Sequence, residues 1–318
     1  MKESGLAPNT IYCACASIFS FYEMNDIDLR KRKIKKYIGE LRKIHKGEAY
    51  THQQISKFLH VSQERLKAII LLLTSTGMRV GALPPLKLKH LTKIQEYGLY
   101  QIVIYENTKS EHIAFCTPES AAMIDSYLEY RKRCGEVLGP ESPLFREDFD
   151  NDPFRINKPQ HIQVGSLKTT LQIHAVKAGL REVEASENNK RTRKKVPLCN
   201  GFRRFADTMM LNSKMNPVIK DMLIDHDVGL EKNYYRPTLN DLLQEYLKAV
   251  DLLTIEESHR LERKVQELTE QQDEITIMKF EHDKEMKQMR SQLDKIISLI
   301  QENPILAKVK TDVLKNIS

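Results

Sequence analysis

The run ERLKAIILLLTST at 64–76, unbroken in apolar residues from Ala68 to Leu73, constrains this chain more than any other feature. Its length favours a helix over a strand, and a helix that is apolar all round must be buried on every side. A central helix is therefore predicted, with other elements packed around it. It should end at Gly77, a residue suited to the left-handed cap of a helix C-terminus. With 318 residues there is room for two domains and a tail, since single cores usually close at about 100 to 200 residues.

Upstream, residues 6 to 46 read as helices. Asn9-Thr10 can cap one whose apolar side includes Ile11, Ala14, Ile18 and Phe19, and a second begins near Asp28. Between Arg30 and Lys46 stand nine Lys or Arg and one Glu. Arg30, Lys31, Arg32, Lys33, Lys35 and Lys36 head this basic face, which either grips a polyanion or merely solubilises the segment. Thr51 and Gln54 fit a capping box, so a new unit starts there.

Downstream of the central helix, a short helix is expected from Arg79, stopped by Pro84-Pro85. LYQIVIYE at 99–106 and HIAFCTP at 112–118, parted by NTKSE, read as a β-hairpin with Lys109 in its turn. Helices are expected around 119 to 134 and 163 to 179, separated by a loop rich in Pro, Asp and Asn at 139–159. Lys190, Arg191, Arg193, Lys194 and Lys195 crowd NNKRTRKKVP, an exposed loop by its polarity. Two or three helices follow between Phe202 and Glu231, before YYRP at 234–237.

The C-terminal part differs in kind. Leu261, Leu268, Ile275, Met289 and Ile296 fall on one seven-residue series, and Val265, Met286, Leu293 and Ile300 on another offset by three or four. Together they form a coiled-coil seam from about 258 to 301. Gln272, Lys279 and His282 interrupt it, and Pro304 marks its end. The alternative is one long helix packing back on its own domain. The expected organisation is thus a short or truncated helical segment at 1–48, a mainly α domain with a small antiparallel β-sheet at 51–255, a coiled-coil helix at 256–302 and a tail at 303–318.

Fifty Lys and Arg against 43 Asp and Glu, a formal charge of +7, favour a polyanionic partner. Five cysteines with no CxxC pair suggest a reducing, intracellular setting without a zinc site. No apolar run reaches the roughly 18 residues that span a bilayer, and the N-terminus lacks a signal-peptide pattern. A cytoplasmic protein is expected. No P-loop pattern and no identifiable acidic metal cluster occur, so neither a cofactor nor a metal is expected.

Several residues sit where chemistry is possible. Arg79 follows the most apolar helix directly, and Arg203 emerges beside the buried side defined by Phe202, Phe205 and Met209. Two Arg so anchored can grip one phosphate bidentately, which Lys cannot reproduce. His226 lies in MLIDHDVGL, and Tyr235 follows nine residues later. Tyrosine, with an ordinary pKa near 10, attacks poorly unless its proton is taken up or cations favour the phenolate. Lys109, on a hairpin turn, can protonate a departing oxygen. Tyr234 competes as nucleophile, because consecutive residues on a helix point about 100 degrees apart and one alone can face a phosphate.

With these blocks in view, the chain resembles the tyrosine recombinase, or integrase, family, with an archaeal branch as its nearest likeness. The first active-site block is matched by TSTGMRVGALPPLKLKHL with Arg79, the hairpin lysine by Lys109 in ENTKSEHIAF, and the late histidine by His226. The second block, usually His-x-x-Arg, reads Asn200-Gly201-Phe202-Arg203. Tyr235 matches the nucleophile. The resemblance covers about 51 to 237, and 1 to 50 only as part of an N-terminal DNA-clamping segment.

The resemblance implies a tyrosine recombinase catalytic fold, double-stranded DNA as partner and a place at the nucleoid. It also implies cleavage through a 3'-phosphotyrosyl intermediate and a homotetramer on paired sites, as in integration of a mobile genetic element. Coiled-coil self-association would help assemble it. Residues 238–255 can contact a neighbouring protomer or cover their own core. Asn200 is the departure: it can hydrogen-bond a phosphoryl oxygen but cannot accept a proton at neutral pH. It keeps two alternatives open, a catalytically impaired DNA-binding regulator and, with less to support it, a coiled-coil interaction protein.

Overall fold

A computed structural model describes residues 6, 8–38, 47–148, 156, 158–182, 195–226 and 235–302. In chain order the helices are α1 (Pro8–Met24), α2 (Lys31–Ile38), α3 (His52–His60), α4 (Glu64–Thr76), α5 (Pro118–Arg133), α6 (Val164–Lys177), α7 (Asn200–Asn212), α8 (Pro217–Leu223), α9 (Leu239–Leu247), α10 (Val250–Leu253) and α11 (Glu257–Glu302). Between α4 and α5 lie the strands β1 (Leu91–Ile94), β2 (Leu99–Ile104) and β3 (His112–Phe115). The chain divides into two compact units, Met1–Ile255 and Glu256–Ser318.

The apolar run forms α4, buried at every residue from Ala68 to Thr76. Its polar end is affordable because each hydroxyl finds a carbonyl one turn back: Thr74 Oγ1 donates to Ile70 O at 3.0 Å and Thr76 Oγ1 to Leu72 O at 2.7 Å. Helix α5 packs on one side of α4 and α7 on another. Ahead of it, Thr51 and Gln54 close a reciprocal capping box that starts α3.

The sheet is antiparallel in the order β1-β2-β3. Ile102 pairs with Leu91 and with Ala114, and Ile104 with His112. The β2–β3 hairpin is as its alternation predicts, and its turn at 105–111 passes through left-handed Tyr105 and Asn107 (φ 57° and 62°). Strand β1 is unexpected. LTKI is four residues long with a polar pair in its middle, so it lacks the alternation that marks a half-buried strand.

Three details depart from the sequence reading. Helix α2 starts at Lys31 rather than near Asp28. The stretch after Arg79 is a single 3-10 turn at Val80–Ala82, not a short α-helix, because Pro84 and Pro85 leave no amide to continue it. Ile18 is exposed, and within α1 only Ile11 and Phe19 are buried.

A buried ion cluster fixes the end of α5. The Arg131 guanidinium pairs with the Glu136 carboxylate and donates to the carbonyls of Pro143 and Leu144 at 2.8 and 3.0 Å. Arg146 Nη1 reaches the same carboxylate at 2.7 Å. Farther along, Leu243, Tyr246, Val250 and Leu253 turn inward from α9 and α10. Tyr246 donates its hydroxyl to Ser75 O at 3.0 Å, so this stretch covers its own core. In the second unit, α11 is one helix of 46 residues, and Leu261, Val265, Ile275, Met286, Met289, Leu293 and Ile296 of the two seven-residue series are all exposed.

Candidate active site

The site is built where α4 ends. Gly77 takes φ 65°, its N–H capping Leu73 O at 3.1 Å, and a side chain there would meet Ile224 and Ala206 at 3.0 and 3.1 Å. This tight left-handed turn throws Arg79 out of the core on a short lever. Arg203 approaches from the first turn of α7 and donates Nη1 to the Gly77 carbonyl at 2.9 Å. The two arginines are thereby tied to one backbone corner.

Their electrostatics are unbalanced. Burial first, then the like charge of Arg79, holds the Arg203 guanidinium below its usual pKa, opposed by Asp225 and Asp207. Arg203 Nη2 is buried with no hydrogen-bond partner. A buried cationic donor left unmatched is costly unless an anion satisfies it. Arg79 meanwhile pairs with the Asp225 carboxylate and donates Nη2 to the Asp225 carbonyl at 3.1 Å. Asp225 is itself left-handed (φ 53°) just after α8, which lets its side chain and carbonyl face the same guanidinium.

His226 comes next, its amide bound to Asp221 O at 2.8 Å and its Nδ1 at 3.3 Å from Asp221 Oδ1. Asp207, Asp221 and His226 have potential ligand atoms within 4.8 Å of one another. A cation is already there: the Lys220 ammonium lies 2.6 Å from Asp207 and 2.9 Å from Asp221. Burial opposes that charge, but the two carboxylates outweigh it and raise the Lys220 pKa.

The sheet closes the other side, since β3 packs on α8. His112, the first residue of β3, holds Nδ1 at 2.8 Å from Ser110 O, and its Nε2 is buried without a partner. Burial is the main cause of its lowered pKa; the Ser110 carbonyl and Asp225 oppose the shift, while Arg203 and Arg79 add to it. The same charges therefore act on Arg203 and on His112. Neither His112 nor Asp225 was expected from the sequence: one looks like an ordinary strand residue and the other like a helix-end acid.

Lys109 lies in the hairpin turn and is exposed. Asn200 is exposed at the start of α7. Tyr235 is 40 % exposed in an irregular segment before Thr238, the cap of α9, and not on a helix as the choice between Tyr234 and Tyr235 supposed. None of these three side chains makes a hydrogen bond or ion pair among the described residues, whereas Arg79 pairs with Asp225, Arg203 with the Gly77 carbonyl and His226 with Asp221. Tyr234 lies outside the described residues, as do Lys190, Arg191, Arg193 and Lys194.

Of the expected DNA contacts, Arg30 precedes α2 while Lys31, Arg32, Lys33, Lys35 and Lys36 stand on it. All but Lys31 are exposed; Lys31 pairs with Glu23 at 2.6 Å, and Lys35 sits over the Tyr12 ring at 5.3 Å. Lys195 is exposed and pairs with Glu48 at 3.0 Å. Among the described residues no helix is long and apolar enough to cross a membrane.

This mainly helical architecture around a three-stranded antiparallel sheet is the tyrosine recombinase catalytic fold. The likeness carrying that statement is to a fragment of the Tn1549 transposon integrase, a Tyr-to-Phe variant in complex with transposon right end DNA. It is 17% identical, with 78% of this chain and 81% of that one covered, at a TM-score of 0.51. The integrase from mycobacterium phage Brujita matches at 15% identity over 77% of this chain and 71% of its own, TM-score 0.47. The XerA recombinase matches at 17% identity over 77% of each chain, TM-score 0.42. No protein-family model matches the chain, and no curated protein does either.

Proposed function

We propose that the chain is a site-specific DNA recombinase that cuts and rejoins duplex DNA through a tyrosine-phosphate bond. The observation that carries this reading is the corner at Gly77, where two arginines meet and one buried guanidinium nitrogen lacks an acceptor. A scissile phosphate supplies the missing acceptor. Its oxygens would take Arg203 Nη2 and displace Asp225 from Arg79, and the two cations would offset the charge of a pentacoordinate phosphorus. The solved structure of the same fold bound to transposon right end DNA supports DNA as the polyanion.

In this account Tyr235 attacks, its oxygen bonds to phosphorus, and the 5'-oxygen departs with a proton from Lys109. The free 5'-hydroxyl of a partner strand then reverses the attack, so no nucleotide hydrolysis is required. Exposure of Tyr235 and Lys109 suits groups that engage only when DNA arrives. The basic face of α2 supplies salt-dependent affinity that is largely indifferent to sequence. A tetramer on paired sites, aided by self-association through α11, completes the proposal.

Trapping on a nicked suicide duplex carrying the native repeat sequence tests it. A denaturation-resistant protein–DNA band is expected, and loss of that band in Arg203→Ala with retained binding. A second reading, a DNA-binding regulator, is favoured by Asn200, which cannot accept a proton; salt-sensitive binding without any covalent band would select it.

A further inference from the structure

A tyrosine that attacks phosphorus must lose its phenolic proton, and no residue has yet been assigned to take it. Asn200 cannot. Lys109 is assigned to the leaving oxygen, and His226, held at Nδ1 against Asp221 at 3.3 Å, is the rival acceptor through its Nε2.

His112 is differently disposed. A backbone carbonyl only accepts hydrogen bonds, so the 2.8 Å contact to Ser110 O requires the hydrogen on Nδ1. In the neutral ring the Nε2 lone pair is then left open, and that atom is buried with no partner. Among the described residues, the groups acting on the ring are the Ser110 carbonyl and Tyr105 ring from its own hairpin, Asp225 from the end of α8, Arg203 from α7 and Arg79 from the corner after α4. Burial disfavours a charged ring and the two guanidinium groups add to it, opposed by the Ser110 carbonyl and Asp225, and the balance lowers the pKa. An unprotonated ring nitrogen lies in the same charge field as the phosphate-binding arginines.

We propose that His112 is the general base of this site, accepting at Nε2 the proton that Tyr235 releases. The inference rests on the recombinase reading above. In the forward step the Tyr235 Oη–phosphorus bond forms, the phosphorus–5'-oxygen bond breaks with its electron pair on oxygen, the phenolic proton passes to His112 Nε2 and the Lys109 ammonium protonates the 5'-oxygen. Religation returns both protons. A phosphate bound between the arginines stabilises the imidazolium once formed, so protonation of His112 is coupled to occupancy of the site.

The test is the single-turnover rate of covalent capture on the nicked suicide duplex from about pH 5 to about pH 8, the range in which histidine titrates. Wild-type protein should slow on the acid side as Nε2 becomes protonated. His112→Asn keeps a donor for the Ser110 carbonyl but has no base; it should bind DNA normally, capture about 10²-fold or more slowly, lose the acid limb and regain rate with added imidazole. His112→Gln serves the same purpose should the first variant fail to bind. A variant with wild-type rate and an intact acid limb overturns the proposal, as does a wild-type profile flat across this range. If wild-type protein forms no adduct at any pH, the recombinase reading itself falls, an outcome distinct from a fast His112 variant.

Discussion

Arg203 gathers most of the site's consequences, since one of its nitrogens anchors the Gly77 carbonyl while the other has no acceptor. Replacement by lysine keeps a charge but offers only a point donor, so it cannot serve both roles. Arg203→Lys should lower the rate of covalent capture by about 10²- to 10³-fold, the range for removing one preorganised donor, with DNA affinity changed far less. Asp225 acts in the opposite sense, because it occupies Arg79 when no phosphate is present. Asp225→Asn should tighten binding of inorganic phosphate severalfold, in keeping with the roughly 0.2 to 1 kcal/mol of a half-exposed ion pair; isothermal titration would read it. Unchanged or weaker binding would mean that Asp225 does not compete with the ligand.

At the scale of elements, two devices hold the site in place. Gly77 is left-handed and wedged against Ile224 and Ala206, so Gly77→Ala should lower stability by at least about 1 kcal/mol and reduce capture by moving Arg79. Thermal unfolding checks the first effect. The Arg131–Glu136–Arg146 cluster locks the end of α5 to the loop at 143–146. Burial pushes the Glu136 pKa up, but the hydrogen bonds and charges of Arg131 and Arg146 outweigh it and leave it lowered. Its contribution is therefore present above the ordinary carboxylate range and lost as pH falls through the depressed value. Glu136→Gln should cost about 3 to 5 kcal/mol at neutral pH, measured by denaturant unfolding, and the gap from wild type should narrow in acid.

These elements also mark what was readable in the chain. Helix α4, its stop at Gly77, the Thr51 capping box and the β2–β3 hairpin follow from local pattern, and the structure has them where periodicity and caps predict. Strand β1 was not readable, since four residues without alternation become a strand only through pairing with β2. For the site, Arg79 and Arg203 stood out as basic residues at the edges of buried helices. Asp225 and His112 did not, because their importance comes from packing of β3 on α8, a contact between segments more than a hundred residues apart.

For the whole molecule, DNA binding should depend steeply on salt. Alanine at Lys33 and Lys36, both exposed on α2, should each flatten the log-log salt dependence by about one unit if each meets a phosphate. The exposed seam of α11 predicts self-association: the full chain should sediment as an oligomer at micromolar concentration, and a chain ending at Ile255 should shift toward monomer. Equal sedimentation of the two would remove α11 from the assembly.

If the site works as proposed, Tyr235 becomes bonded to DNA at the arginine corner. Mass spectrometry of the peptide left on a nicked suicide duplex after proteolysis tests it most directly. A single DNA-linked peptide carrying the nucleotide on Tyr235 is expected, absent from Tyr235→Phe and retained in Tyr234→Phe. A link at Tyr234, or none from protein demonstrably bound to the duplex, would contradict it.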